Sequence, residues 1–235
     1  VALLWLFPTR ATRLPSNCSL PNLRAMQQRI PLSPAGRPLF AFDLDGTITT
    51  REILPCLAER VGMAGEMTEL TRRTISGELD FARSFRARFE MLRSIPLPLA
   101  HESIAAIPLD PHIEAFINAR PKDCAVITGN LDLWILPLRK RLACRWFSSR
   151  GAVVNGELTL LSVLDKGRAM DELARAGRPI VAIGESMNDV PMFIKASACI
   201  AFAGVHAPAP EIRRLAGRTA DNGASLCAML EDFAG

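Results

Sequence analysis

No apolar stretch in this chain reaches the roughly 18 residues needed to span a bilayer as a helix, which excludes the usual transmembrane anchor. The opening VALLWLF is apolar. It lacks a basic leader, and no clear small-residue cleavage site follows, so it does not read as a signal peptide. Cysteine pairs are missing too. The six cysteines (Cys18, Cys56, Cys124, Cys144, Cys199, Cys227) lie far apart with no CxxC spacing. That spacing excludes a zinc ribbon or a disulfide framework and predicts reduced, buried thiols in a cytoplasmic protein. Charge of one sign is also scarce: 28 basic against 24 acidic residues leave a net +4. This excess is too small and too dispersed to argue for a nucleic-acid partner, although it does not oppose an anionic substrate. No internal repeat and no low-complexity block is present.

What is present is an ordinary globular composition, 49% hydrophobic and 22% charged over 235 residues. That length suits one domain with an insertion, or two small ones, with a sizeable core. Residues 1–38 are rich in Pro, Arg and Ser without periodicity and read as a poorly ordered tail, inside which Met26 is a plausible start of translation. The organising stretch is LFAFDLDGTITT, Leu39 to Thr50. Leu39 to Phe42 read as a buried strand, and Gly46-Thr47 open a turn. If the strand persists to Asp45, alternation puts Asp43 and Asp45 on one side of its carboxyl end. Two carboxylates so close repel unless a cation or shared proton neutralises them, and hard divalent ions favour such oxygens. A plain Asp-Gly turn is the other reading.

From Ile53 to Ile117 the apolar spacing is helical throughout. Ile53, Leu54, Leu57, Ala58 and Val61 share one face, and Phe81, Phe85, Phe89 and Leu92 share another, which predicts core packing. Strand signals return at Cys124–Thr128, before a helix predicted over Leu131–Leu142. Asn155-Gly156 marks a tight hairpin. A helix follows over Lys166–Ala176, then strands at Ile180–Ile183 and Cys199–Phe202, and helices near Glu211–Leu215 and Ala224–Phe233. Strands alternating with helices predict an α/β fold: a parallel sheet covered on both faces.

Four polar clusters fall near strand ends or helix starts: Asp43 with Asp45; Thr128; Lys166; and Glu185 with Asn188 and Asp189. A hydroxyl and an ammonium beside carboxylates and a metal suit a phosphoryl group, whose transfer needs in-line placement and charge compensation. In this order the clusters resemble the four motifs of the haloacid dehalogenase-like phosphohydrolases: FDLDGTIT, VITGN, Lys166-Gly167 and GESMNDVPM. The resemblance is closest to the phosphoserine phosphatase-like branch, in which a helical cap is inserted between the first and second motifs. It implies a Rossmann-like parallel core over 39–51 and 119–235 with a cap over 52–118. It also implies a Mg²⁺-dependent hydrolase of small-molecule phosphomonoesters acting through an aspartyl-phosphate, with no nucleic acid or membrane partner.

By that resemblance Asp43 is the nucleophile and Asp45 the acid and base. Thr128 and Lys166 hold phosphoryl oxygens, and Gly129 and Asn188 lie on the substrate side. Mg²⁺ is expected on the Asp43 carboxylate, the Asp45 carbonyl and the acid of the fourth motif. That motif ordinarily reads Gly-Asp and here reads Gly184-Glu185. The extra methylene carries the carboxylate about 1 Å too far for the strict octahedron of Mg²⁺. Glu185 then ligates directly, acts through water, or leaves the place to Asp189. In the same branch a Glu nine residues after the nucleophile and an Arg ending F-x-x-S-x-x-x-R read an amino acid's charges. Glu52 and Arg88 match those positions. Phosphoserine is thus the leading substrate, and surface charge is the other reading of both residues. A phosphotransferase using the same phosphoenzyme and a non-catalytic phosphate-binding protein are the alternatives. His101, His112 and His206 match no family position and are expected to be structural or solvated.

Overall fold

The computed structural model describes residues 36–234; the expected tail over 1–38, apart from Gly36, Arg37 and Pro38, lies outside the described residues. Seven strands form one sheet: β1 (Leu39–Phe42), β2 (Cys124–Leu131), β3 (Arg145–Val154), β4 (Glu157–Ser162), β5 (Ile180–Gly184), β6 (Ala198–Phe202) and β7 (Arg218–Ala220). Their order is β4-β3-β2-β1-β5-β6-β7. All neighbours run parallel except the antiparallel pair β3/β4. The chain leaves β1 toward β2 on one side and returns to β5 on the other. In such a sheet the reversal opens a crevice at the strands' carboxyl ends.

Every residue of β1 is buried, and its two faces serve two cores. Phe40 and Phe42 enter one cluster, and Leu39 and Ala41 enter the other. On the first face Phe116 of α5 (Pro111–Ala119) meets both rings edge-on, at 5.3 and 6.3 Å. On the second lie Met170 of α7 (Lys166–Ala174) and Phe193 of α8 (Val190–Lys195). The predicted covering of both faces is therefore present.

The helical run appears as α1 (Ile53–Ala58), α2 (Ala64–Ile75), α3 (Phe81–Leu92) and α4 (Leu97–Ala105), followed by α5. Asp80 caps α3 by accepting from Arg83 N at 2.9 Å, and the Phe85, Phe89 and Leu92 stripe is buried as its spacing predicts. The two connections to these helices run side by side. Thr49 and Leu109 form a bridge, and Asp110 N donates to Ile48 O at 2.8 Å. The insertion thus closes near residue 109, and α5, expected with it, packs on the sheet.

Three sequence readings change. The helix predicted over Leu131–Leu142 shrinks to α6 (Leu136–Arg141), because β2 continues to Leu131 and Asp132 turns the chain by accepting from Leu133 N and Gly151 N, both at 2.9 Å. The body of β3 was not legible, since RWFSSRGA mixes polar and apolar residues on a half-buried strand. The three-residue β7 was too short to show a pattern. The hairpin stands: Asn155 and Gly156 both have positive φ (52° and 84°), as a primed turn requires. The remaining elements, α9 (Pro210–Leu215) and α10 (Gly223–Ala234), lie where expected. Among the described residues no helix is long and apolar enough to cross a membrane. The five described cysteines are free, with Cys56, Cys124 and Cys199 buried and Cys144 and Cys227 half-buried.

Candidate active site

The site begins where β1 stops. Asp43 N makes the last sheet bond to Ile183 O (2.9 Å), and the chain then coils around the Leu44 carbonyl, which accepts from Ile48 N and Thr49 N at 2.9 Å each. Gly46, at φ 66°, makes that coil possible. Strand alternation is therefore not what aligns Asp43 and Asp45, since Asp45 already lies in the turn. It is aimed by its partners instead. Its Oδ1 accepts from Ile53 N (2.9 Å), one of the unpaired donors at the start of α1, and its Oδ2 accepts from the Asn130 side chain.

Lys166 stands in the first turn of α7, which Asp165 caps through Arg168 N at 3.1 Å. Its ammonium is buried between two carboxylates, 2.6 Å from Asp43 Oδ1 and 2.6 Å from Asp189 Oδ1. The other oxygen of Asp189 accepts from Glu185 N (3.0 Å), Ser186 N (2.9 Å) and Ser186 Oγ (3.1 Å). Both oxygens of Asp189 are thus engaged in holding the loop and Lys166.

Glu185 contrasts with it. Its carboxylate lies over Gly46, so close that a methyl group there would sit 2.9 Å from Oε1, while Oε2 is buried without a hydrogen-bond partner. Burial, then the charges of Asp189 and Asp43, push its pKa up to about 10. Burial, then Glu52, raises Asp45 to about 7. Asp43 is also raised well above the carboxylate range, by burial and then Asp189, against the pull of Lys166. Lys166 loses to burial but gains more from Asp189 and Asp43, so it stays protonated. Lys166 is the one ammonium in contact with these acids among the described residues, and the group is short of positive charge.

That shortage, with an orphaned carboxylate oxygen aimed into it, is the environment a hard divalent cation would relieve. No cage of three or more His, Cys, Asp or Glu side chains exists among the described residues. Mg²⁺ does not need one, because it binds through one or two carboxylates and keeps waters and phosphate oxygens as its other ligands. Asp43 and Glu185 could supply two.

A cleft of about 500 Å³ opens above the acids, walled by Asp43, Asp45, Glu52, Arg88, Glu185 and Asn188 among others. Gly129 is also in its wall, and the Phe81 ring from α3 packs against that glycine's bare backbone. Thr128 and Lys166 are more deeply buried (0% and 3% exposed) and do not line it. Arg88 is 5% exposed and, among the described residues, donates only to Thr71 Oγ1 (3.2 Å) and leaves Nε buried without a partner. Burial lowers its pKa, with Asp45 and Glu52 opposing. By contrast Arg83 and Arg86 on the same helix are exposed, so the surface-charge reading does not hold for Arg88.

Sequence reasoning missed Asn130, Ser186 and His206. Asn130 bonds Asp45 and also donates to Thr128 Oγ1 (3.0 Å), and Ser186 forms a capping box with Asp189. Both stand inside recognised motifs, so adjacency to Thr128 and Glu185 was the available signal. His206 is neither merely structural nor merely solvated: its Nε2 is 3.0 Å from Glu52 Oε1. No sequence signal links residues so distant. His101 contacts the Leu133 carbonyl (2.7 Å), and His112 is exposed, as expected.

Comparison with known proteins adds three findings. Residues 40–193 match the family model described as haloacid dehalogenase-like hydrolase. A phosphoserine phosphatase of Methanocaldococcus jannaschii is 28% identical over 180 residues, covering 71% of this chain and 85% of that protein. Two solved structures are also similar. A substrate-bound phosphoserine phosphatase complex has TM-score 0.74 and 25% identity, over 84% of this chain and 98% of that one. A phospho-aspartyl intermediate analogue of phosphoserine phosphatase has TM-score 0.69 and 26% identity, over 79% and 94%.

Proposed function

Because this chain belongs to the haloacid dehalogenase-like hydrolases, we propose that it hydrolyses a small phosphomonoester, with phosphoserine as the leading substrate, through an aspartyl-phosphate on Asp43. The observation that carries this reading is the division of labour between two carboxylates at one cleft. Asp43 is paired to Lys166 at 2.6 Å, whereas Asp45 is held by neutral donors with its pKa near 7. A group poised there both gives and takes a proton at neutral pH.

In the proposed reaction Asp43 attacks phosphorus as the ester P–O bond breaks, and Asp45 protonates the departing alcohol oxygen. Asp45, now ionised, takes a proton from water, which attacks the acyl phosphate, releases inorganic phosphate and restores Asp43. Lys166, behind Asp43, and the Gly129 backbone steady the phosphoryl oxygens; Thr128, beneath the cleft wall, holds Asn130 through its Oγ1, and Asn130 and Asp189 position Asp45 and Lys166. Asp43, the Asp45 carbonyl and Glu185 would hold Mg²⁺, which when bound would supply positive charge against the phosphoryl group. The segment 52–108 serves as the cap that excludes water during transfer. Glu52 and the unpaired Arg88 suit a substrate carrying an ammonium and a carboxylate, which supports an amino-acid ester.

The test is phosphate release from phosphoserine and from an aryl phosphate, with Mg²⁺ and with a chelator. Metal-dependent release that favours phosphoserine is expected. Absence of release from both by folded protein, together with no gain in Glu185→Asp, would overturn the reading.

The acid cluster also sets a pH dependence for the chelated protein. Asp45 has a native pKa near 7 against about 3.8 for the free group, so the native state holds the extra proton between those values. Stability of the metal-free protein therefore falls as pH rises from about 4 to 7. Thermal midpoints measured across that range with a chelator are expected to decline, and Mg²⁺ is expected to raise the midpoint more at pH 8 than at pH 5. Equal Mg²⁺ shifts at both would contradict the metal assignment.

A further inference from the structure

Glu52 is the last residue before α1, with extended backbone (φ −68°, ψ 130°) and no capping bond from its own side chain. Its carboxylate is left free to turn toward the cleft, which it lines. Among the described residues its one side-chain partner is His206, in the loop between β6 and α9 on the far side of the chain's order. An ionised carboxylate has no hydrogen to give, so the His206 Nε2–H donates to Oε1. Oε2 accepts nothing among the described residues and retains its capacity for a donor from the cleft.

His206 itself is anchored by its surroundings. Its ring lies against Gly46, where a methyl group would stand 3.0 Å from Cδ2, and Ala209 N ties the same loop to the Glu185 carbonyl (2.8 Å). A donor from the sheet side of the cleft therefore meets an acid at the start of the inserted helices. Arg88, buried with an Nε that has no partner among the described residues, lines the same cleft. The bond to Glu52 raises the pKa of His206 above the ordinary imidazole value, against partial burial, so Nε2 holds its proton for that bond.

We propose that His206 is a specificity-determining positioning residue: by holding Oε1 of Glu52, it presents Oε2 to a cationic group, an ammonium, on the substrate. The inference rests on the reading of the cleft as a phosphomonoester site. It assigns His206 no contact with the phosphoryl group and no proton transfer. Partners that orient metal ligands are typically worth about 10-fold or more in affinity, and an effect of that order is expected for a carboxylate held in the same way.

The experiment compares phosphoserine with 3-phosphonooxypropanoate, the same ester without its amino group. In His206→Ala the KM for phosphoserine is expected to rise about 10-fold with kcat nearly unchanged, and the KM for the deaminated ester to stay within about twofold. His206→Gln, which keeps a donor near the Nε2 position, is expected to recover most of the loss. His206→Phe keeps the ring's packing without the donor and serves should the alanine variant not fold; it is expected to behave as His206→Ala. Equal KM changes for both esters, or a fall in kcat with KM unchanged, would overturn the proposal. Wild-type enzyme that turns over both esters but does not prefer the amino ester would overturn it too. Wild-type enzyme that hydrolyses neither would show instead that the underlying site reading fails, and the proposal with it.

Discussion

Asp43→Asn is expected to reduce phosphate release by about 10⁴-fold or more while leaving the protein folded. The amide keeps nearly the shape of the carboxylate but cannot attack phosphorus, so no acyl phosphate forms. Folding should tolerate the change. The wild-type carboxylate is buried among other acids that raise its pKa, and Lys166 keeps its second partner, Asp189, at 2.6 Å. The thermal midpoint is therefore expected within a few degrees of wild type, or above it. Acid quenching during turnover of a radiolabelled substrate should leave label on wild-type protein and none on the variant. Undiminished phosphate release by Asp43→Asn would exclude the aspartyl-phosphate route.

Lys166→Met is expected to have the largest effect on stability. The ammonium is 3% exposed and donates to two buried carboxylates at once. Methionine fills much of the same volume but leaves both acids facing each other with no cation between them. Breaking a buried ion pair from one side typically costs about 3–5 kcal/mol, and a loss in that range at pH 7.5 is expected from denaturant unfolding. The sign of its pH dependence follows. With Lys166 gone, Asp43, already raised by burial, loses the cation that opposes the rise and its native pKa climbs further, so protonation relieves the penalty. The destabilisation should therefore shrink on moving from pH 7.5 to 5. Lys166→Arg is not expected to rescue, because a planar fork does not fit where a compact ammonium sits between two oxygens. A loss below about 1 kcal/mol at pH 7.5 would show that Lys166 is not the counter-ion the structure indicates.

Much of the fold was legible because its elements are locally encoded. β1 announces itself as an uninterrupted apolar run, and the Phe81–Leu92 stripe has the period of a helix; both occur as read. Asn155-Gly156 takes the positive φ values that its chemistry favours. Legibility failed where an element lacked a local pattern. Half-buried β3 shows no clean alternation, and α6 is six residues shorter than predicted, chiefly because Leu131 ends β2 and the turn that starts at Asp132 takes the next four. It failed again at the boundary of the helical insertion, because Phe116 has the same periodicity whether α5 covers a cap or the sheet.

The sequence by itself determined the order of most strands and helices, β7 excepted, and it determined the positions of Asp43, Asp45, Thr128, Lys166 and the Glu185–Asp189 loop, which was enough for the family. Only the tertiary structure decided how those groups divide the work. Asp189 turns both oxygens inward to Lys166 and the loop, while among the described residues Glu185 keeps one oxygen without a partner and Arg88 is left without an acid. Asn130 reaches Asp45 from 85 residues away, and His206 reaches Glu52 from 154. The physical reason is range. Backbone propensity and hydrophobic period are fixed within a few residues, whereas hydrogen bonding and charge compensation depend on which loops the crossovers bring together, and no local pattern records that meeting.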